Sequence, residues 1–165
     1  MASVLLFLAL TLTSNLSSVR VIFFQENSEK VNTQLDLLTQ SATLKSSPVL
    51  YAYNGLAIMR KAEYSFNPYS KLSYFKKGKT KVESAIKLKP SNAELRFIRL
   101  SIQSNIPSFL GYSSNISTDK NIILQALKSK NFSNDTSFAK NVIKFMASSE
   151  LISLEEKQTL LKLYA

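Results

Sequence analysis

Apolar residues recur at intervals of three and four along most of the chain, and no segment alternates apolar and polar residues with a period of two. Within residues 27–44, Val31, Leu35 and Leu38 fall on one stripe of a helix. The pattern predicts an all-α fold without a sheet. Helices are predicted over residues 27–44, from Pro48, from Pro68 to about Leu88, from Ser91, and over 119–130, 135–148 and 154–164.

The starts of several predicted helices carry local sequence signals. Pro48 and Pro68 each open a helix, where the missing N–H removes no hydrogen bond. Residues 91–94 (Ser-Asn-Ala-Glu) and 153–156 (Ser-Leu-Glu-Glu) have the spacing of a capping box, in which each end accepts a hydrogen bond from the other's free N–H. The predicted fold class is therefore antiparallel helix pairs or an irregular helical bundle.

Residues 105–118 interrupt the helical pattern with Pro107, Gly111 and several Ser and Asn residues. A connection of about a dozen residues is long for a helical protein, and loops on a rigid scaffold often carry binding residues. Phe109 and Tyr112 are bulky side chains in this loop. They either fold back onto the core or stand out as a contact patch, and we take both as candidate binding residues.

The amino-acid composition excludes several kinds of catalytic and metal site. There is no histidine, cysteine or tryptophan, so His-dependent triads, thiol nucleophiles and zinc sites built on imidazole or thiolate are excluded. Three glycines form neither a GxGxxG nor a GxxxxGK[ST] phosphate loop. The eleven acidic residues are scattered and suggest no acid–base pair. We expect a protein that is not an enzyme and has no cofactor or metal.

The positive charge is concentrated in the middle of the chain. The net charge is +10, and residues 60–99 hold eleven basic and three acidic residues. This basic block could attract nucleic acid, another anionic polymer or a membrane surface, or it could be a solvated helix face. Arg96 and Arg99 lie three residues apart near Glu94. They could grip a carboxylate or phosphate of a partner, or form an internal salt bridge.

The amino terminus has the pattern of a secretory signal peptide. Residues 4–12 form an uncharged apolar run that is too short to cross a bilayer as a helix, and small polar residues follow it. The alternative is a buried first helix. We expect residues 1–18 to be a signal peptide with an uncertain cleavage site, residues 19–165 to form a single helical domain, and the protein to be periplasmic or secreted.

Export predicts a shortened mature chain that begins between Ser14 and Arg20. The intact mass of native material measures this directly. Soluble cytoplasmic protein that retains residues 1–13 would contradict the prediction.

Small residues recur where the second and third predicted helices could cross, at Gly55, Gly78 and Ala85. Val82 is a bulky residue between Gly78 and Ala85, and Pro90 follows the third helix. This arrangement resembles the tetratricopeptide repeat, and the resemblance spans residues 48–104. It implies antiparallel helix pairs with a groove that binds a protein or peptide.

The sequence departs from that repeat at two places. Tyr51 occupies the aromatic position, but Asn54 stands where the repeat has leucine. Gly55 and Pro90 are 35 positions apart, whereas a regular repeat places the proline about 24 residues after the glycine. About eleven residues, around 64–73, therefore look inserted.

A second, local resemblance lies in residues 94–103, 105–112 and 119–123. These stretches resemble small exported helical proteins of Bacteroidetes, which implies a source and a compartment but no catalytic residues.

We therefore expect an exported, non-enzymatic helical scaffold that binds a protein or peptide partner, with Phe109, Tyr112, Arg96 and Arg99 as its candidate binding residues. The alternative is a binder of an anionic polymer or membrane surface through residues 60–99. Salt dependence separates the two, because charge contacts weaken with ionic strength and apolar contacts do not.

Overall fold

The computed structural model describes residues 16–163, and within this range every regular element is helical. Residues 16–23 are helical and are called α1. The other helices are α2 (Glu29–Thr39), α3 (Pro48–Arg60), α4 (Pro68–Leu88), α5 (Ala93–Gln103), α6 (Ile116–Lys128), α7 (Thr136–Ser148) and α8 (Leu154–Leu163), with a 3-10 turn at Ser108–Leu110. The prediction of an all-α fold is confirmed.

The chain divides into two compact units, and the boundary between Ala85 and Ile86 falls inside α4. The first unit (unit 1) comprises the helices up to that point, and the second (unit 2) comprises the rest. The prediction of a single domain over residues 19–165 stays a prediction.

Unit 1 is built on the packing of α2 against α3. Its polar centre is Asn54, which is 4% exposed. The Asn54 amide donates to the Asp36 carboxylate at 2.9 Å and to the Thr39 hydroxyl at 3.2 Å. Lys61 binds the other carboxylate oxygen of Asp36 at 2.7 Å. The asparagine that departs from the repeat pattern is therefore a hydrogen-bonded buried group, as burial of an amide requires.

Helices α3 and α4 approach each other backbone to backbone at Gly55 and Gly78. A Cβ atom on Gly55 would lie 2.8 Å from the Gly78 carbonyl oxygen, and one on Gly78 would overlap the Gly55 carbonyl oxygen and Met59. Both positions therefore require glycine. This agrees with the prediction that the two helices cross closely at these residues.

Replacing Gly78 tests this crossing. Alanine gains up to about 1 kcal/mol over glycine in an exposed helix, but here its Cβ would overlap a backbone oxygen of the facing helix, which cannot shift as easily as a flexible side chain. We expect Gly78→Ala to lower the free energy of unfolding by about 1–3 kcal/mol, and Gly78→Leu to lower it further. Thermal melts of both variants measure the change in stability, with Lys77→Ala at an exposed neighbouring position as the control. Stabilisation by Gly78→Ala would contradict the crossing.

Unit 2 is held together by packing of α5 on α6, of α7 on α8 and of α6 on α8. Phe97 of α5 is fully buried. Its ring meets those of Phe132, Phe138 and Phe145 edge to face at centroid distances of 6.3, 6.2 and 5.3 Å, within the range of favourable aromatic pairs. This cluster places α5 in the core of the unit.

The helix starts agree with the sequence signals except at α5. At α8 the capping box is formed: Ser153 accepts from the Glu156 N–H at 3.2 Å, and the Glu156 carboxylate accepts from the Ser153 N–H at 2.7 Å. The latter hydrogen bond lowers the pKa of Glu156. At α5 the predicted box at 91–94 is wrong, because Asn92 is the cap and accepts from the Leu95 N–H at 2.9 Å. Asparagine caps a helix as well as serine does.

Two predicted boundaries are also corrected. Helix α2 ends at Thr39 rather than at residue 44, because Thr43 and Ser46 exchange side-chain to backbone hydrogen bonds that form a turn. Helix α6 begins at Ile116, three residues before its predicted start, and no side chain caps it.

Most of the predicted signal peptide, residues 1–15, lies outside the described residues. In α1, Val19 and Phe23 are buried, and the Phe23 ring lies 5.7 Å from that of Tyr53. Among residues 16–163, no helix has the length and hydropathy to cross a membrane.

Candidate partner-binding site

The four candidate binding residues all belong to unit 2. Arg96 and Arg99 lie on α5, and the loop from residue 104 to residue 115 carries Phe109 and Tyr112. The structure gives these side chains three different environments.

The loop is ordered by local hydrogen bonds. The Asn105 side chain donates to the Ser101 carbonyl at 2.7 Å. Pro107 precedes the 3-10 turn, and Gly111 ends it with φ +60°, where its N–H donates to the Ser108 carbonyl at 3.0 Å. A residue with a side chain is strained in that left-handed conformation, so glycine is favoured there.

Phe109 and Tyr112 differ in their exposure to solvent. Phe109 is 83% exposed, whereas Tyr112 is 5% exposed. The sequence left two possibilities for these aromatic residues, and the loop shows one with each: the Phe109 ring is exposed to solvent, and Tyr112 folds back into unit 2. A role of Phe109 in binding a partner stays a prediction. Tyr112 thus anchors the loop that presents Phe109.

Arg96 and Arg99 converge on Asp119, in the first turn of α6, which is fully buried. Arg99, 3% exposed, binds both carboxylate oxygens at 2.7 and 2.8 Å. Arg96 reaches one of them at 3.1 Å. The internal salt bridge that the sequence left open is present, and its acid is Asp119. A role of either arginine in binding a partner stays a prediction.

Arg96 also fixes the chain before α5. Its guanidinium donates to the Pro90 carbonyl at 2.9 Å from Nε and at 2.6 Å from Nη2. Arg96 therefore ties the segment that leads into α5 to the start of α6 through Asp119.

That segment forms one wall of an open groove of about 480 Å³. The groove is lined by Pro90, Ser91, Ile122, Gln125, Ala126 and Ser129. Its walls are the entry to α5 and the second half of α6, so it lies at the end of the α5–α6 pair opposite the 104–115 loop. The groove is largely open to solvent, and its lining mixes apolar side chains with groups that can form hydrogen bonds.

Sequence reasoning missed both Asp119 and the groove. Asp119 had a detectable signal, because it shares a stripe with Ile123 and Leu127 at intervals of four. A carboxylate on a buried stripe needs a cation. The groove had no comparable signal, because it depends on the packing of α6 beside Pro90.

The basic block is in part a solvated surface. Five of its lysines are exposed, namely Lys71, Lys76, Lys77, Lys87 and Lys89. Lys81 differs: its ammonium lies 4.1 Å from the centre of the Tyr51 ring. Burial lowers the pKa of Lys81, against the opposing effect of Asp36. In the described part of the chain no group of three or more acidic side chains is placed to hold a metal ion.

Comparison of the chain with protein-family models, curated proteins and solved structures finds no match. The two resemblances noted in the sequence stay predictions.

Proposed function

We propose that this protein is an exported, non-enzymatic helical scaffold that binds a protein or peptide partner through unit 2. The observation that carries the proposal is the groove between the entry to α5 and α6. Ile122 and Ala126 supply apolar surface, while Ser91 and Gln125 offer hydrogen bonds to a peptide backbone. A groove of this kind suits a short extended segment with an apolar side chain.

The contacts of Arg96 support the use of the groove as a binding surface, because Pro90 lines the groove. Arg96 holds Pro90 in place and is itself held by Asp119. A wall that is fixed before the partner arrives loses little conformational entropy on binding. Phe109, exposed at the opposite end of the helix pair, offers a second contact, because exposed aromatic side chains are frequent anchors of protein interfaces.

The groove is tested by filling it. Ala126 is half-buried and lines the groove, so Ala126→Glu places a larger, charged side chain there without entering the core. We expect wild type to retain a partner from an extract of its own cell envelope and Ala126→Glu to lose it. Lys140→Ala, at an exposed site on α7, is the matched control. Equal retention of the same partner by all three proteins would contradict the proposal.

A second candidate function rests on the exposed lysines in the first half of α4. Lys71, Lys76 and Lys77 offer positive charge that an anionic polymer or membrane surface would attract. This function uses unit 1 and is independent of the groove.

A further inference from the structure

Three apolar side chains stand in solvent around the start of α4. Phe66 is 101% exposed, Tyr69 is 86% exposed and Leu72 is 42% exposed. We call these three residues the α4 tip. Burying large apolar side chains is the main favourable term in folding, so a fully exposed phenylalanine beside an exposed tyrosine points to a use outside the folded chain.

The local backbone keeps Phe66 out of the core. Asn67 caps α4, since its side-chain oxygen accepts from the Tyr69 N–H at 2.9 Å and from the Ser70 N–H at 3.4 Å. An apolar residue just before a cap usually packs on the fourth helical residue. That residue is here Lys71, which is exposed. Phe66 therefore lacks the usual apolar partner and projects from a fixed helix start.

Positive charge predominates around the tip, in a segment that Glu63 and Glu83 flank. Residues 64–82 contain five lysines, no arginine and no acidic residue. Lys71 lies between Tyr69 and Leu72, and Lys76 and Lys77 are exposed one to two turns further along α4. A second copy of this chain would bring two such lysine clusters together, so a self-association through the tip is opposed by charge.

We propose that the α4 tip docks on an anionic lipid membrane, with Phe66, Tyr69 and Leu72 entering the interface between headgroups and acyl chains while the lysines contact lipid phosphates. Tyrosine and other aromatic side chains favour that interface. Each lysine near an anionic leaflet adds attraction that salt screens. Leucine cannot stack on a base, and arginine, the residue best suited to grip nucleic-acid phosphates, is absent from residues 64–82. Lipid is therefore favoured over nucleic acid. The proposal names the occupant of the second candidate site and is independent of the groove.

The protein has no tryptophan, so one introduced indole reports its own environment. Phe66→Trp is compared with Phe109→Trp, which places the same reporter on the exposed phenylalanine of unit 2. Both are titrated with vesicles of phosphatidylcholine alone and with vesicles that contain about one third phosphatidylglycerol. We expect a blue shift for Phe66→Trp with the anionic vesicles, a much smaller one with neutral vesicles, and none for Phe109→Trp.

The second measurement is the affinity of the protein without an introduced tryptophan for the anionic vesicles. We expect Phe66→Ala combined with Tyr69→Ala to lower the affinity for anionic vesicles by about tenfold or more, because each aromatic side chain loses its burial in the interface. Raising the salt from about 0.1 M to about 0.5 M should strongly weaken the binding of the wild-type protein to anionic vesicles. If Phe66→Trp proves poorly folded by its thermal melt, Tyr69→Trp takes its place.

Three results would overturn the proposal. One is the absence of a shift with anionic vesicles. Another is an equal shift for Phe66→Trp and Phe109→Trp. The third is binding to single-stranded DNA that depends on Phe66 and Tyr69 while vesicles are not bound. Loss of partner capture by Ala126→Glu bears on the groove alone, so the two proposals can fail separately.

Discussion

Asp119→Ala is expected to lower the free energy of unfolding by about 3–5 kcal/mol, because it leaves the buried Arg99 without its carboxylate. Asp119 is fully buried, and Arg99 binds both of its oxygens within 2.8 Å. Arg96 also loses its hydrogen bond to the carboxylate, so the Pro90 segment is no longer tied to the start of α6. Chemical denaturation monitored by circular dichroism measures the loss.

A surface ion pair in the same unit provides the matched control. Lys120 lies 3.8 Å from Glu156, and about a quarter of each side chain is exposed. Lys120→Ala is therefore expected to cost less than about 1 kcal/mol. Replacing Asp119 and Arg99 together by leucine and methionine should recover part of the loss, because the more deeply buried guanidinium is then removed together with its carboxylate. If Asp119→Ala lowers the free energy of unfolding no more than Lys120→Ala does, the buried pairing of Asp119 with Arg96 and Arg99 is contradicted.

Tyr112→Ala is expected to cost roughly 3–5 kcal/mol, the range for removing a large buried aromatic side chain. Phe109→Ala, three positions away in the same loop, should change stability by less than about 0.5 kcal/mol, because the ring is 83% exposed. The pair separates an anchoring role from a contact role within one loop.

Partner capture tests the contact role of Phe109 separately from stability. Phe109→Ala should weaken capture at an unchanged melting temperature, and Phe66→Ala, which removes a fully exposed ring from unit 1, should leave capture intact. Equal melting temperatures for Tyr112→Ala and wild type would show that Tyr112 does not anchor the loop. Undiminished capture by Phe109→Ala would remove Phe109 from the interface.

Local signals were enough to predict most helices. Pro48 and Pro68 mark the first residues of α3 and α4, and the box at 153–156 is present in the structure. These signals act within one turn of helix, where sequence and structure are directly linked. The start of α6 was predicted too late because Ile116 follows no side-chain cap, so the sequence offered no marker there.

The pattern of apolar and charged residues could not predict contacts between residues that are far apart in the sequence. Arg99 and Asp119 are separated by 20 positions, and charge spacing on α5 alone pointed to Glu94 as the neighbouring acid. Both Arg99 and Asp119 occupy apolar stripes of their helices, and that coincidence was the available clue. Phe109 and Tyr112 differ in burial, and they lie on either side of Gly111, which has a left-handed backbone conformation. Helical periodicity does not describe side-chain directions around such a residue.

The central claim is that a partner is held in the α5–α6 groove mainly by apolar contacts. The most direct test is the salt dependence of the dissociation constant for the captured partner, measured by calorimetry between about 0.1 M and about 0.5 M salt. The account predicts a change of less than about threefold, because screening acts on charges and leaves apolar contacts intact. A loss of affinity on the order of 1000-fold, as several released counterions would produce, would contradict it and assign capture to the basic block.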